Sequence, residues 1–239
     1  MKIIETVELH KAYANEDVET LALDDITFSI NEGEFVAIMG PSGSGKSTLL
    51  HILGFLDRPT SGKYYFNGKE VGAYKEEEMA HVRNKDMGFI FQSFNLLSRT
   101  TVLDNVKLPL IYSPMPEKQW NKVALEAIKM VGLEHRLDHH PSQLSGGEKQ
   151  RAAIARALVT SPKIIFADEP TGNLDSKSGQ AVMETLQNLN IERGHTILLI
   201  THETYTAEHA ERIIRVRDGR IESDEKVKNR HLAKESFRK

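Results

Sequence analysis

Three short stretches of the chain gather residue types that could handle a phosphate group. The first is GPSGSGKST, that is Gly40, Pro41, Ser42, Gly43, Ser44, Gly45, Lys46, Ser47 and Thr48. Gly40, Gly45, Lys46 and Ser47 satisfy the P-loop spacing. The glycines let successive backbone amides point at one anion, a helix beginning near Lys46 adds its positive end, and Lys46 brings a full charge to the β and γ phosphates. Ser47 offers a hydroxyl to Mg²⁺, so the implied ligand is a nucleoside triphosphate. The second stretch, IIFADE, is an apolar run that ends in Asp168 and Glu169. Adjacent strand side chains point to different sides, which assigns Asp168 to the metal shell and Glu169 to the base that orients a water at the γ phosphate. Standing alone, such a pair would be an ordinary strand exit that caps the next turn. The third stretch is Leu144, Ser145, Gly146, Gly147 and Glu148, ahead of KQRAAIARAL. Ser145 could cap the helix that follows, leaving the amides of Gly146 and Gly147 as a second anion site; the alternative is a capped helix start with nothing bound.

The elements that must position these residues are also readable. Val7 and Leu9, then Ile26, Phe28 and Ile30, alternate with polar neighbours, the period of half-buried antiparallel strands. Residues 35–39, 164–167 and 197–200 are solidly apolar and suit central parallel strands covered on both faces. Trp120, Val123, Ala127 and Val131 recur at helical spacing and stop at Gly132; Val182, Leu186 and Leu189 do the same before Gly194. Strands alternating with helices predict an α/β domain, and residues 93–158 read as loop and helix inserted between two sheet strands. The tail after Glu222 is polar and mixed in charge and is expected to be partly frayed.

Composition removes several function classes. The 239 residues are 39% hydrophobic and 27% charged, with 31 Lys and Arg against 34 Asp and Glu for a net charge of −3. Such a balance excludes disordered and fibrous classes and predicts no general nucleic-acid affinity. No apolar stretch nears the roughly 20 residues needed to cross a bilayer, and the start MKIIETVELHK lacks an apolar signal core, so a cytoplasmic protein is expected. The absence of cysteine excludes disulfides, thiol catalysis and cysteine metal sites. His135, His139 and His140 have a spacing that could ligate zinc on a helix, but Pro141 breaks it and no carboxylate stands as a third ligand. KEEEM, residues 75–79, reads as a solvated helix face, and Arg151, Arg156 and Lys163 form no nucleic-acid stripe.

Together, these three stretches resemble the nucleotide-binding subunits of ABC transporters. Their signature motif, usually LSGGQ, is matched at Leu144, Ser145, Gly146 and Gly147 and departs at Glu148, a position that varies within the family. The resemblance runs along almost the whole chain. It implies a P-loop NTPase core with a mostly parallel sheet, an N-terminal antiparallel β subdomain and an inserted α-helical subdomain. The expected division is 1–92 and 159–222 for the ATP-binding core, 93–158 for the helical signature subdomain and 223–239 for the tail.

The resemblance also implies roles. Tyr13 matches an aromatic ring placed against adenine, although a tyrosine at a strand end is by itself usually packing. Gln92, after the strand-like residues 87–91, matches the glutamine that reaches Mg²⁺ and the attacking water. Asp175 matches a loop that touches the opposite subunit; otherwise Asn173 and Asp175 would simply cap the helix starting near Ser176. His202 matches the switch histidine at the γ phosphate. The implied catalytic set is Lys46, Gln92, Glu169 and His202, and the implied metal set is Ser47, Gln92 and Asp168, with ATP and Mg²⁺ as ligands. A head-to-tail dimer is implied, in which the signature of one copy covers ATP held by the other.

Residues 52–68, 89–112 and 168–179 are similar to the branch containing lipoprotein-release, macrolide-export and cell-division ATPase subunits. That branch implies export or lipoprotein release through a membrane permease partner, and a position on the cytoplasmic face of the inner membrane. Phe94, Leu96 and Leu97 lie where the family docks a coupling helix, and equally suit insertion core. The alternatives are a soluble ABC-type ATPase of DNA repair or translation, a cell-division subunit that transports nothing, and a non-catalytic ATP-responsive regulator. No sustained heptad run or second ATPase domain supports the soluble types.

Overall fold

The computed structural model describes residues 1–15 and 18–233. Two sheets form the framework. The antiparallel one contains β1 (Lys2–Asn15), β2 (Val18–Asn31), β4 (Ser61–Phe66) and β5 (Lys69–Glu70) in the order β2-β1-β4-β5. The second contains β3 (Phe35–Met39), β6 (Met87–Ile90), β7 (Ile164–Asp168), β8 (Thr196–Thr201), β9 (Arg212–Arg217) and β10 (Arg220–Lys226), in the order β10-β9-β3-β8-β7-β6. Its strands are parallel except β10, which closes an antiparallel hairpin with β9.

The solid apolar runs are explained by what lies on either face. Phe35, Ala37, Ile165, Ala167, Ile197 and Leu199 join a core shared with α4 (Trp120–Met130), α5 (Gly146–Leu158) and α6 (Ser176–Ile191). Their neighbours Val36, Ile38, Ile164, Phe166, Leu198 and Ile200 pack with α1 (Lys46–Leu53) and the antiparallel sheet. Because alternate side chains enter opposite cores, every position must be apolar. Between β6 and β7 the chain forms α3 (Val102–Lys107), α4 and α5 with short 3₁₀ turns, and α2 (Glu76–Asp86) precedes β6. Among the described residues no helix is long and apolar enough to cross a membrane.

Two expectations need correction. Val7 does not share the buried face of Leu9: Val7 is 37% exposed, whereas Thr6 and Leu9 are buried. The pairing passes from Thr6 opposite Phe28 to Leu9 opposite Ile26, so β1 carries one extra residue there. Glu8 absorbs it with a φ of 48°, and a one-residue bulge reverses the faces on either side of it. The chain beyond Glu222 is not frayed up to Ala233. β10 continues to Lys226, Gln187 Nε2 donates to the carbonyl of His231 at 2.7 Å, and the amide of fully buried Ala233 donates to Gln187 Oε1 at 2.8 Å. Side chains of the interior helix α6 thus satisfy the backbone of a polar tail, and residues 234–239 lie outside the described residues.

Candidate functional site

The parallel order sets the site. β3, β8, β7 and β6 lie side by side with Met39 opposite Thr201, Ile200 opposite Asp168 and Ala167 opposite Ile90. Their carboxyl ends therefore deliver, in lateral order, the P-loop, His202, the Asp168 and Glu169 pair, and Gln92. Ligands of open parallel sheets lie at that edge.

The P-loop wraps directly into α1. Gly45 has a φ of 98° and a Cβ there would come within 2.5 Å of the Ala22 carbonyl, so only glycine fits. Lys46 is almost fully buried, and its ammonium donates to the Pro41 carbonyl at 2.6 Å. Burial lowers its pKa, while the charges of Glu169 and Asp168 oppose that fall. Among the described residues Ser44 Oγ is buried without a hydrogen-bond partner. A buried hydroxyl facing an amide-rich loop fits an anionic oxygen, as a phosphate would supply. Ser47 is exposed one residue after Lys46, and Thr48 follows in the first turn of α1.

Asp168 has its pKa raised by burial and by the neighbouring Glu169 charge, with His51 and Lys46 pulling it down. Glu169 leaves the strand with a φ of 45°, pinned by its amide to the Ile200 carbonyl at 2.9 Å. A non-glycine residue held there costs on the order of 1–3 kcal/mol and marks a position the surroundings enforce. Its Oε1 accepts from the His202 amide at 3.1 Å and lies 2.6 Å from His202 Nδ1, and Thr201 Oγ1 donates to Oε2 at 3.5 Å. The carboxylate side chain is 16% exposed and the imidazole 60%, so the pair presents its histidine to the outside. Lys46, Asp168, Glu169 and His202 are thus brought together.

Gln92 is exposed and connected to the same loop. Asn173 Nδ2 donates to its carbonyl at 3.0 Å, and a Cβ on Gly172 would fall 2.5 Å from its Nε2. Gly172 and Asn173 are therefore positioning residues that sequence reading missed. Gly172 carried no spacing signal that would single it out; Asn173 was read only as a cap. Ser47, Gln92 and Asp168 form an all-oxygen donor set of hydroxyl, amide and carboxylate, which fits a hard cation such as Mg²⁺. Among the described residues no three His, Asp or Glu side chains cluster to hold a metal.

The signature stretch packs against the loop after Glu169 and the first turn of α6. Cβ atoms on Gly146 and Gly147 would sit 3.1 Å from Leu174 and 3.0 Å from Ser178. Ser145 caps α5, accepting from the Glu148 amide at 3.3 Å, while Glu148 Oε2 accepts from the Ser145 amide at 2.8 Å. Glu148 Oε1 accepts from Arg136 Nε at 2.8 Å. Burial works to raise the Glu148 pKa, but the Ser145 amide and Arg136 bring it down to about 2. The departure from the usual glutamine is therefore absorbed inside the helical segment. His135 lies 3.9 Å from the same carboxylate, and His139 faces Arg136 at 3.1 Å.

Asp175 caps α6, accepting from the Ser178 amide at 3.0 Å and the Ser178 hydroxyl at 2.7 Å. Tyr13 is 41% exposed, with its hydroxyl donating to Asp57 at 2.9 Å. The trio Phe94, Leu96 and Leu97 divides: the first two pack partly buried against the core, and Leu97 is 47% exposed.

Beside Gln92 runs a groove of about 790 Å³, lined among others by Leu56, Ala80, Phe89, Phe91, Pro109 and Tyr112. Arg156 lies in it, donating to the carbonyls of Phe94 and Asn95, two residues with φ of 60° and 52°. The groove thus adjoins the loop that carries Gln92.

The comparisons agree with this geometry. The family model for ABC transporter matches residues 23–172. An uncharacterized ABC transporter ATP-binding protein of Thermotoga maritima is 50% identical over 225 residues, covering 94% of this chain and 96% of that protein. The macrolide export ATP-binding/permease protein MacB of Chlorobaculum tepidum is 50% identical over 230 residues, covering 96% of this chain. The chain spans about a third of the length of that relative, 35%. The solved dimer of the ATP-binding cassette MJ0796, in a post-hydrolysis state with ADP and Pi, superposes with a TM-score of 0.85 at 44% identity, covering 95% of this chain and 99% of that one. The chain belongs to the ABC transporter family. It is an ATP-binding cassette whose chemistry is ATP hydrolysis.

Proposed function

We propose that this cassette drives a membrane permease by ATP-dependent closing and opening of a dimer of two copies, working at the cytoplasmic face of the membrane in export or lipoprotein release. Residues 1–92 and 159–222 form the ATP-binding core and 93–158 the signature subdomain. The P-loop amides and Lys46 hold the β and γ phosphates, with the ammonium leaving the Pro41 carbonyl for the phosphate oxygens. Ser47, Asp168 and Gln92 would hold Mg²⁺, which neutralises charge developing on the phosphates. Tyr13 receives the base. Glu169 orients the attacking water and accepts its proton, and His202 fixes that carboxylate and faces the γ phosphate. Across the dimer, Ser145 with the amides of Gly146 and Gly147 covers the partner copy's ATP, and Asp175 lies at the contact.

The observation that supports this reading is the lateral alignment of the ends of β3, β8 and β7, which brings Lys46, Glu169, His202 and Asp168 to one edge. The groove beside Gln92, together with the exposed Leu97, takes a helical segment of the permease, and Arg156 links that groove to the loop carrying Gln92. The lean to export rests on the MacB relatives. Purification with co-expressed permease candidates tests the reading. ATP turnover that rises with a permease of few spanning helices supports it, whereas stimulation only by a many-helix permease favours conventional transport. ATPase activity independent of any membrane protein favours a soluble role.

A further inference from the structure

Asp57 stands four residues beyond the end of α1, and both its carboxylate oxygens are engaged on β1. Oδ1 accepts from Lys11 Nζ at 2.8 Å and Oδ2 from the Tyr13 hydroxyl at 2.9 Å. Lys11 also donates to the Arg58 carbonyl at 2.8 Å, and its ammonium lies 4.8 Å from the centre of the Tyr13 ring. Nearby, the Ala12 amide donates to Thr60 Oγ1 at 3.0 Å and the Thr60 amide to the His10 carbonyl at 2.9 Å. Residues 10–13 are thereby tied to residues 57–60, the loop that continues the P-loop helix. A half-exposed tyrosine held only through its Cβ samples several χ1 wells, whereas a hydroxyl bonded to a fixed carboxylate selects one. Thr48, in the first turn of α1, is near enough to the same hydroxyl to pull its pKa down against burial and Asp57, so the selected position is beside the helix that the phosphate loop opens.

We propose that Asp57 is a positioning residue for recognition of the nucleotide base: through the Tyr13 hydroxyl it holds the ring as a fixed platform at the mouth of the phosphate loop. The proposal rests on Tyr13 facing the base. It adds that the hydroxyl, and not the ring face alone, supports affinity, and that the contribution is confined to ligands carrying a base.

The test compares Tyr13→Phe, Asp57→Ala, Asp57→Asn, the Tyr13→Phe/Asp57→Ala double variant and Tyr13→Ala by steady-state ATPase kinetics, with inhibition by magnesium tripolyphosphate as the base-free probe. Loss of one charge-assisted hydrogen bond at a half-exposed site predicts a KM for ATP raised about three- to tenfold in Tyr13→Phe and Asp57→Ala, with kcat unchanged. The double variant is no worse than the weaker single one, Asp57→Asn recovers part of the loss, and tripolyphosphate inhibition matches the original chain in all of them. Wild-type KM in Tyr13→Phe overturns the proposal, as does weakened tripolyphosphate inhibition in parallel with ATP. Tyr13→Ala separates the layers: a raised KM there with Tyr13→Phe silent leaves the ring facing the base and removes only the anchor. A silent Tyr13→Ala removes the base-facing role itself.

Discussion

Replacing Glu148 by glutamine converts the signature to its usual form and tests whether that carboxylate serves the helix or the nucleotide. Glu148 closes a capping box with Ser145 and pairs with Arg136 at 2.8 Å, with its side chain 13% exposed. Its pKa falls from the ordinary 4.5 to about 2, an upper limit of roughly 3 kcal/mol of stabilisation at neutral pH. Glutamine keeps an acceptor for the Ser145 amide, so only the ionic share of the Arg136 contact is lost, and solvent screening reduces that to about 1 kcal/mol. The folded pKa lies below the unfolded one, so this stability is full above about pH 4.5 and disappears as the pH falls towards 2. Urea unfolding should therefore show Glu148→Gln less stable by about 1 kcal/mol at pH 7, with the gap narrowing below about pH 4.5. ATP turnover should stay within about twofold, because the carboxylate faces Arg136. Equal stability at pH 7 together with a tenfold change in turnover would refute this reasoning.

Lys46→Ala leaves the phosphate charge uncompensated in a buried site, and calorimetry should show ATP affinity reduced about 100-fold. His202→Ala removes the 2.6 Å contact on Glu169, and single-turnover hydrolysis should slow on the order of 100-fold with ATP affinity nearly unchanged. Gly172→Ala puts a methyl where the Gln92 amide lies; kcat should fall roughly 10- to 100-fold with unaltered thermal unfolding, and an unchanged kcat would remove Gln92 from the reaction.

The parts of the fold set by local pattern were legible. Continuous apolar runs marked the strands at 35–39, 164–168 and 196–201, and the P-loop stood between a strand and a helix as its spacing requires. What escaped reading depends on contacts distant in sequence or on backbone geometry. The bulge at Glu8 reverses the face of Val7 although the alternation of residue types is regular. The docking of the tail depends on Gln180 and Gln187 of α6, 53 and 46 residues before Ala233. Glu148 was half legible: Ser145 and Glu148 have the S-x-x-E spacing of a capping box, but the Arg136 pairing arises only once the chain turns at 134–136. Gln92 carried a role by resemblance, whereas Gly172 and Asn173, which fix its place, are 80 and 81 residues away.

The most direct measurement is the mass in solution of Glu169→Gln with ATP and Mg²⁺, by size-exclusion chromatography with light scattering, combined with bound-nucleotide analysis. If Glu169 is the base and two copies enclose ATP between P-loop and signature, the variant accumulates as a dimer retaining two ATP, with hydrolysis slowed at least about 100-fold. A variant that stays monomeric with ATP and hydrolyses it at the original rate would contradict both the role of Glu169 and the enclosed dimer.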